Sequence, residues 1–384
     1  MSSFLIVTWD GAGNLVSTLG IARRLVEAGH EVRLLGHASI DQRCGREGWT
    51  FRPFATAPEY DAVHPGDPAE EMPFLIENVF FSADVARDTA TEFHRAPADV
   101  LLVDALLPSA LCAAEALPVP TAALFHSPYC LLRGGPLLDL VSTAFPMANA
   151  IRAGLGLDAI EGIPQLHDRC DLALVASPRE FEAPGEPAPN VRFVGPILDG
   201  PPLTRAVATS SSDDGPDPLV VVSFSTSQMG QGPVLQRILD ALGQLPARVL
   251  VTAGPAVEPN GLRAAANTEV VGYLPHAAVL PAASVVVTHA GLGTVMAALA
   301  HGVPLVCMPM GRDQFFNAGR VAELGAGRVL PLDAEESVIA DTVVSVLTDP
   351  ALHEGAKRMA IAIAGYRGSA DAVAALELLA PSAD

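Results

Sequence analysis

The sequence predicts an α/β protein of two doubly wound, parallel-sheet domains, and three observations carry that expectation. Its 384 residues exceed one ordinary α/β domain and suit two. Short runs rich in valine, isoleucine and leucine alternate with alanine-rich segments of helical period, the pattern of strand–helix–strand units on a sheet covered on both faces. The alternation stops once, over residues 198–218, where Pro201, Pro202, Ser210, Ser211, Ser212, Asp213, Asp214, Pro216 and Pro218 read as a linker.

Taken in order, residues 4–8 predict the first strand. Leu15, Leu19, Ala22 and Val26 then share one helical face, and Gly29 is placed to end that helix. Strands follow at 31–35, near 50–54, at 100–103 and at 121–125, with 108–117 helical between the last two. Beyond the linker the same alternation gives strands at 219–224, 248–251, 268–271, 284–288, 304–308 and 328–330. The expected division is a first domain at 1–200, a linker at 201–216, a second domain at 217–365 and a final segment at 366–384.

Half of the residues are apolar and 17% are charged, a balance that fills two cores and argues against disorder. Lysine and arginine number 23 against 43 aspartate and glutamate, a net charge of −20 that repels nucleic acid and anionic lipid. A small phosphorylated ligand stays compatible with such a chain, because backbone amides can bind it. Cys44, Cys112, Cys130, Cys170 and Cys307 are dispersed without a Cys-x-x-Cys pair, as expected of reduced core thiols. The N-terminus carries no export pattern and no run of about 20 apolar residues is uninterrupted, so a cytoplasmic protein is expected.

In an open parallel sheet, ligands bind beyond the carboxyl ends of the strands. Those ends carry Trp9, Asp10 and Asn14 after the first strand, Asp104 after the 100–103 strand and His126 after the 121–125 strand. Asp10, Asn14 and Asp104 are expected to converge, since a 3-2-1-4-5 order makes the first strand and the Asp104 strand neighbours. In the second half, His289, Gly291, Gly293 and Thr294 open a helix, where glycines and free N–H groups suit a diphosphate; a tight turn alone would also use the glycines. The Gly11-Ala12-Gly13 turn lacks the third glycine and the acidic partner of a dinucleotide fingerprint, which disfavours a nicotinamide dehydrogenase. No Asp-x-Asp motif occurs, so neither a metal site nor a cofactor is expected.

Four ordered segments, Val270 to His276, Thr288 to Thr294, Ala300 to Pro304 and Asp313 to Ala318, together resemble the donor-binding signature of family 1 inverting glycosyltransferases, above all the actinobacterial natural-product enzymes. The motifs Asn190 to Pro196 and Ser223 to Thr226 agree with it. The resemblance implies the GT-B fold, two Rossmann-like domains facing each other across a cleft, with acceptor bound by the first, donor by the second, and the last helix returning to the first domain. It implies that His289, Gly291, Gly293 and Thr294 hold the diphosphate and that Tyr273 stands in the place of a base-stacking tryptophan. It further implies that Asp313 and Gln314 bind sugar hydroxyls, while Ser225 and Thr226 contact the nucleotide.

Two departures bear on mechanism. Ser225 replaces a glycine, and Asn14 stands where the family has its catalytic histidine. An amide cannot accept a proton at neutral pH. The base is then Asp104, which matches the aspartate that orients the family's histidine, or His126 oriented by Asp104. A ribose-binding glutamate of uridine-using plant relatives is Ala297 here, which favours a dTDP-sugar over a UDP-sugar. The expected activity is metal-independent, inverting transfer of a sugar to an apolar acceptor such as a polyketide or phenol; the loops at 53–82 and 128–168 carry apolar side chains suited to one. Rival readings are a binding homologue that lost its base and a nucleotide-sugar epimerase. The sequence names neither aglycone nor sugar, nor does it separate O- from C- or N-transfer, and it leaves a homodimer open.

Overall fold

The computed structural model describes residues 1–41, 47, 49–63, 68–198, 217–224 and 227–381. The expected linker at 201–216, together with Ser225, Thr226 and Cys44, lies outside the described residues. The chain divides into two compact units, Met1–Asp199 with Tyr366–Asp384, and Gly200–Gly365.

In the first unit the strands are β1 (Ser3–Val7), β2 (Glu31–Gly36), β3 (Thr50–Pro53), β4 (Val100–Asp104), β5 (Thr121–Phe125), β6 (Leu172–Val175) and β7 (Val191–Phe193). They form a parallel sheet in the order β3-β2-β1-β4-β5-β6-β7. The order reverses between β1 and β4, which pair in register from Phe4 against Val100 to Val7 against Val103. Side chains on a strand alternate between faces, and both faces here are covered. Leu5, Val7, Leu101, Val103, Ala123 and Phe125 enter one core, whereas Phe4, Ile6, Val100, Leu102, Ala122 and Leu124 enter the other. The second of these is closed by the helix Ser369–Glu377, through Ala372, Val373, Ala375 and Leu376 packed beside Ile21 and Leu25 of the helix Asn14–Glu27. Gly29 ends the Asn14–Glu27 helix at φ +85°, with its N–H on the Val26 carbonyl.

The loop aromatics expected near an acceptor pack mostly inward: Phe80, Phe81 and Tyr129 are buried, and Met72, Phe74, Phe145 and Met147 lie half-buried against the same core. β6 and β7 had no counterpart in the sequence reading. Each is only three or four residues long, and β7 exists because its edge pairs with β6 from Ala173 against Val191.

In the second unit, β8 (Leu219–Ser223), β9 (Arg248–Thr252), β10 (Thr268–Val271), β11 (Val285–Thr288), β12 (Leu305–Cys307) and β13 (Gly327–Val329) are parallel in the order β10-β9-β8-β11-β12-β13. One face is filled by Val220, Val222, Val249, Val251, Val285, Val287 and Val306, with Ile238, Leu239, Ile339 and Val343 from the covering helices. β8, β11 and β12 are consecutive neighbours, so the turns that follow them lie side by side. Among the described residues no helix is long and apolar enough to cross a membrane.

Candidate active site

In the first unit the chemistry gathers where β1 and β4 meet. Asp104, the last residue of β4, is buried, and its carboxylate is bound from three sides. Asn14 Nδ2 donates to Oδ2 at 3.0 Å, the Leu106 N–H donates to Oδ1 at 2.9 Å, and His126 Nε2 lies 3.1 Å from Oδ1. The His126 side chain is 14% exposed against 1% for Asp104, so the imidazole is the member of the pair that meets solvent. Asn14 is fixed as a donor toward Asp104, because its Oδ1 accepts the Gly11 N–H at 3.1 Å while Nδ2 also reaches the Trp9 carbonyl at 3.0 Å. Asp10, expected beside them, accepts from Ser39 Oγ at 2.7 Å and from the Ala12 N–H at 3.3 Å.

The turn after β4 is held from behind. His167, fully buried, lies with Nε2 2.9 Å from the Ala105 carbonyl and packs edge-on against Phe125. Burial pushes its imidazole down to about 4, so it is neutral above that pH. Glu182 accepts the N–H groups of Tyr129 and Cys130, which fixes the chain just beyond His126.

In the second unit the turns after β8, β11 and β12 are laced together. His289 follows β11; Ala290 behind it adopts φ +66° and Gly291 opens the helix Leu292–Ala300. A Cβ on Gly291 would stand 2.6 Å from His289 Nε2, so the glycine makes room for the ring, whereas a Cβ on Gly293 would meet nothing within 4 Å. Burial pushes His289 down to about 4, opposed by a backbone hydrogen bond at Ser223 and helped by the Arg312 charge. Its ring is neutral at pH 7 and offers a single N–H. Thr294 is buried on the first turn of the same helix.

Asp313 immediately precedes the helix Gln314–Glu323, and Asn317 connects it to the β11 turn: Nδ2 donates to Asp313 Oδ2 at 2.9 Å and to the Ala290 carbonyl at 3.0 Å. The Gln314 side chain serves its own loop, with Oε1 accepting the N–H groups of Met310 and Gly311 at 2.8 and 3.1 Å and Nε2 on Met229 Sδ. Tyr273 is 68% exposed between β10 and the helix His276–Val279. Asn317 stands inside a motif legible in the sequence, yet nothing there marks it as the connection between two turns; that follows only from strand order.

The chain is similar to known proteins in both sequence and fold. Residues 236–378 match the model of the erythromycin biosynthesis protein CIII-like C-terminal domain. The chain is 27% identical over 366 residues to 4'-demethylrebeccamycin synthase of Lentzea aerocolonigenes, covering 84% of this chain and 86% of that one. It is 32% identical over 210 residues to demethyllactenocin mycarosyltransferase of Streptomyces fradiae, covering 54% of this chain and 45% of that one. The crystal structure of the glycotransferase of kitacinnamycin superposes with a TM-score of 0.80 at 22% identity, over 99% of both chains. This chain has the GT-B fold of these glycosyltransferases. In it, Asp104 is met by an asparagine from the first helix and by a histidine that follows the neighbouring strand.

Proposed function

We propose that this glycosyltransferase transfers a sugar with inversion from a nucleoside-diphosphate sugar to a hydroxyl of an apolar natural-product acceptor, with His126 as the base and Asp104 orienting it. The observation that carries this reading is the 3.1 Å contact between His126 Nε2 and Asp104 Oδ1. With Nε2 donating to the carboxylate, Nδ1 takes the acceptor's proton as its oxygen bonds to the anomeric carbon. The bond from that carbon to the diphosphate breaks, and its electron pair leaves with the phosphate oxygen. Asn14, unable to take a proton, keeps the Asp104 carboxylate in place.

Residues 1–200 are assigned to the acceptor and 217–365 to the donor. The helix start at Gly291, Gly293 and Thr294, with the His289 N–H, would stabilise the departing diphosphate without a metal. Asp313 reads sugar hydroxyls, with Gln314 steadying its loop, and Tyr273 stacks on the base. Ser225 and Thr226 would add nucleotide contacts. Two observations favour dTDP over UDP: Ala297 offers a ribose 2′-hydroxyl no partner, and the glycosyltransferase VinC, of TM-score 0.73 and 20% identity, was solved in complex with dTDP. Half-buried Met72, Phe74, Phe145 and Met147 suit an apolar acceptor. A cytoplasmic location accompanies this reading.

The test is product formation from dTDP- and UDP-sugars with a panel of phenols and macrolide aglycones, with the anomeric configuration read by NMR. Turnover is expected to fall as pH drops through the imidazole range, about 5–8, and this limb is expected to vanish in His126→Ala. A flat profile above pH 5 with full activity in His126→Ala would transfer the role of base to Asp104. Donor binding without turnover points to a non-catalytic homologue, and donor conversion without acceptor points to an epimerase.

A further inference from the structure

Arg312 occupies a place that the donor motif does not explain. It lies between β12 and the helix Gln314–Glu323, beside Asp313, and is exposed. Its backbone is left-handed, at φ +56°, in a residue with a full side chain. Such a conformation is strained for anything but glycine and persists where the surroundings impose it, often at ligand sites. The direction taken by the side chain is informative. Arg312 Nη1 lies 3.4 Å from Ser227 Oγ, in the turn after β8. β11 runs between β8 and β12, so the guanidinium passes over the turn that follows β11, where His289 and Gly291 open the helix.

We infer that Arg312 is a cationic clasp over the diphosphate turn, paired through its guanidinium with the donor's phosphate oxygens. The inference rests on the donor site assigned above and adds to it the source of positive charge. His289 cannot supply that charge: burial first, and then the Arg312 charge itself, keep the imidazole neutral. The chain as a whole carries −20, so a diphosphate approaches against the field of the protein. Backbone amides at a helix start provide dipoles but no formal charge, whereas a planar guanidinium matches two phosphate oxygens at once. Strain at Arg312 fits the same role, since glycine would suit the backbone better and would leave the turn without a cation.

Calorimetric titration of the full chain with dTDP, at low and high salt, tests this in the wild type and in Arg312→Gln, Arg312→Lys and Arg312→Gly. The two uncharged variants are expected to lose affinity by roughly ten- to a hundredfold, the range for a hydrogen bond to a charged group. Their affinity should also depend less on salt, with Arg312→Lys in between. Arg312→Gly should melt no lower than the wild type, which separates loss of binding from loss of structure. An Arg312→Gln protein that binds dTDP within about twofold of the wild type, or an Arg312→Gly protein that weakens binding only together with its melting temperature, overturns the clasp. A wild type that binds neither dTDP nor UDP overturns the donor site itself, and the clasp with it.

Discussion

Asn14 Nδ2 donates to Asp104 Oδ2 at 3.0 Å, across a sequence separation of 90 residues and between two adjacent strand ends. Asn14 thus holds the aspartate through an amide that cannot move a proton. A neutral donor suits a buried carboxylate; a second carboxylate does not.

Asn14→Asp should therefore put two buried acids within hydrogen-bond range. Like charges at that distance raise the pKa of one group in the folded state above its unfolded value. Stability is then lost as pH rises through that raised value and is regained in acid. The variant should lose about 3 kcal/mol at pH 8, the cost of an uncompensated buried charge. Thermal melts at pH 5 and pH 8 check the sign: a deficit that is larger at pH 5 contradicts it.

Gly291 and Gly293 should respond differently to alanine. At Gly291 the new Cβ meets the His289 ring at 2.6 Å, so the ring must rotate away and nucleotide affinity should fall more than tenfold. At Gly293 nothing lies within 4 Å, so Gly293→Ala should melt like the wild type, and any loss of dTDP affinity reflects crowding of the ligand alone. Paired melts and titrations distinguish the two; a destabilised Gly293→Ala protein would speak against this packing.

Asn317→Ala leaves the Ala290 carbonyl and the Asp313 carboxylate without their shared donor. A loss of about 1–3 kcal/mol is expected, chiefly from the Ala290 carbonyl, whose bond to Asn317 is buried. Because Asn317 and Asp313 are in contact, the double variant with Asp313→Ala should lose less sugar-nucleotide affinity than the sum of the single losses. Strict additivity in that cycle would separate the two residues.

His37, His167 and His289 are each lowered to about 4 by burial, against 6.5 for the free imidazole. The unfolded chain takes up these protons below pH 6.5 while the folded chain resists, so their contribution is complete above 6.5 and is lost as pH falls toward 4. The difference of 2.5 corresponds to roughly 3 kcal/mol for each group at most. Melting temperatures should fall between pH 7 and pH 5, and His167→Gln should flatten that slope for the first unit. An unchanged slope in His167→Gln would show that its imidazole does not titrate with unfolding.

The sequence by itself determined the elements and the turns that carry chemistry. Alternation such as Phe4 and Ile6 against Leu5 and Val7 buries both faces of a strand, so β1 and the strands of the valine-rich second unit are legible from hydrophobicity alone. Glycine at 29 marks the end of the first helix for a reason local to the backbone, its φ of +85°. His126, His289 and Asp313 were legible as strand-end or turn residues. What those residues touch was decided only by the tertiary structure. Short edge strands such as β7 have no period long enough to read and form because a neighbour supplies their hydrogen bonds. Asp10 turns to Ser39, Asn14 and His126 turn to Asp104, and Asn317 and Arg312 reach the turns of other strands. Each of these contacts depends on strand order and register, which bring residues 22 to 90 positions apart within hydrogen-bond distance. Side-chain pairing over such separations leaves no local pattern in the chain, because it is the sheet, and not the neighbouring residues, that fixes the distance.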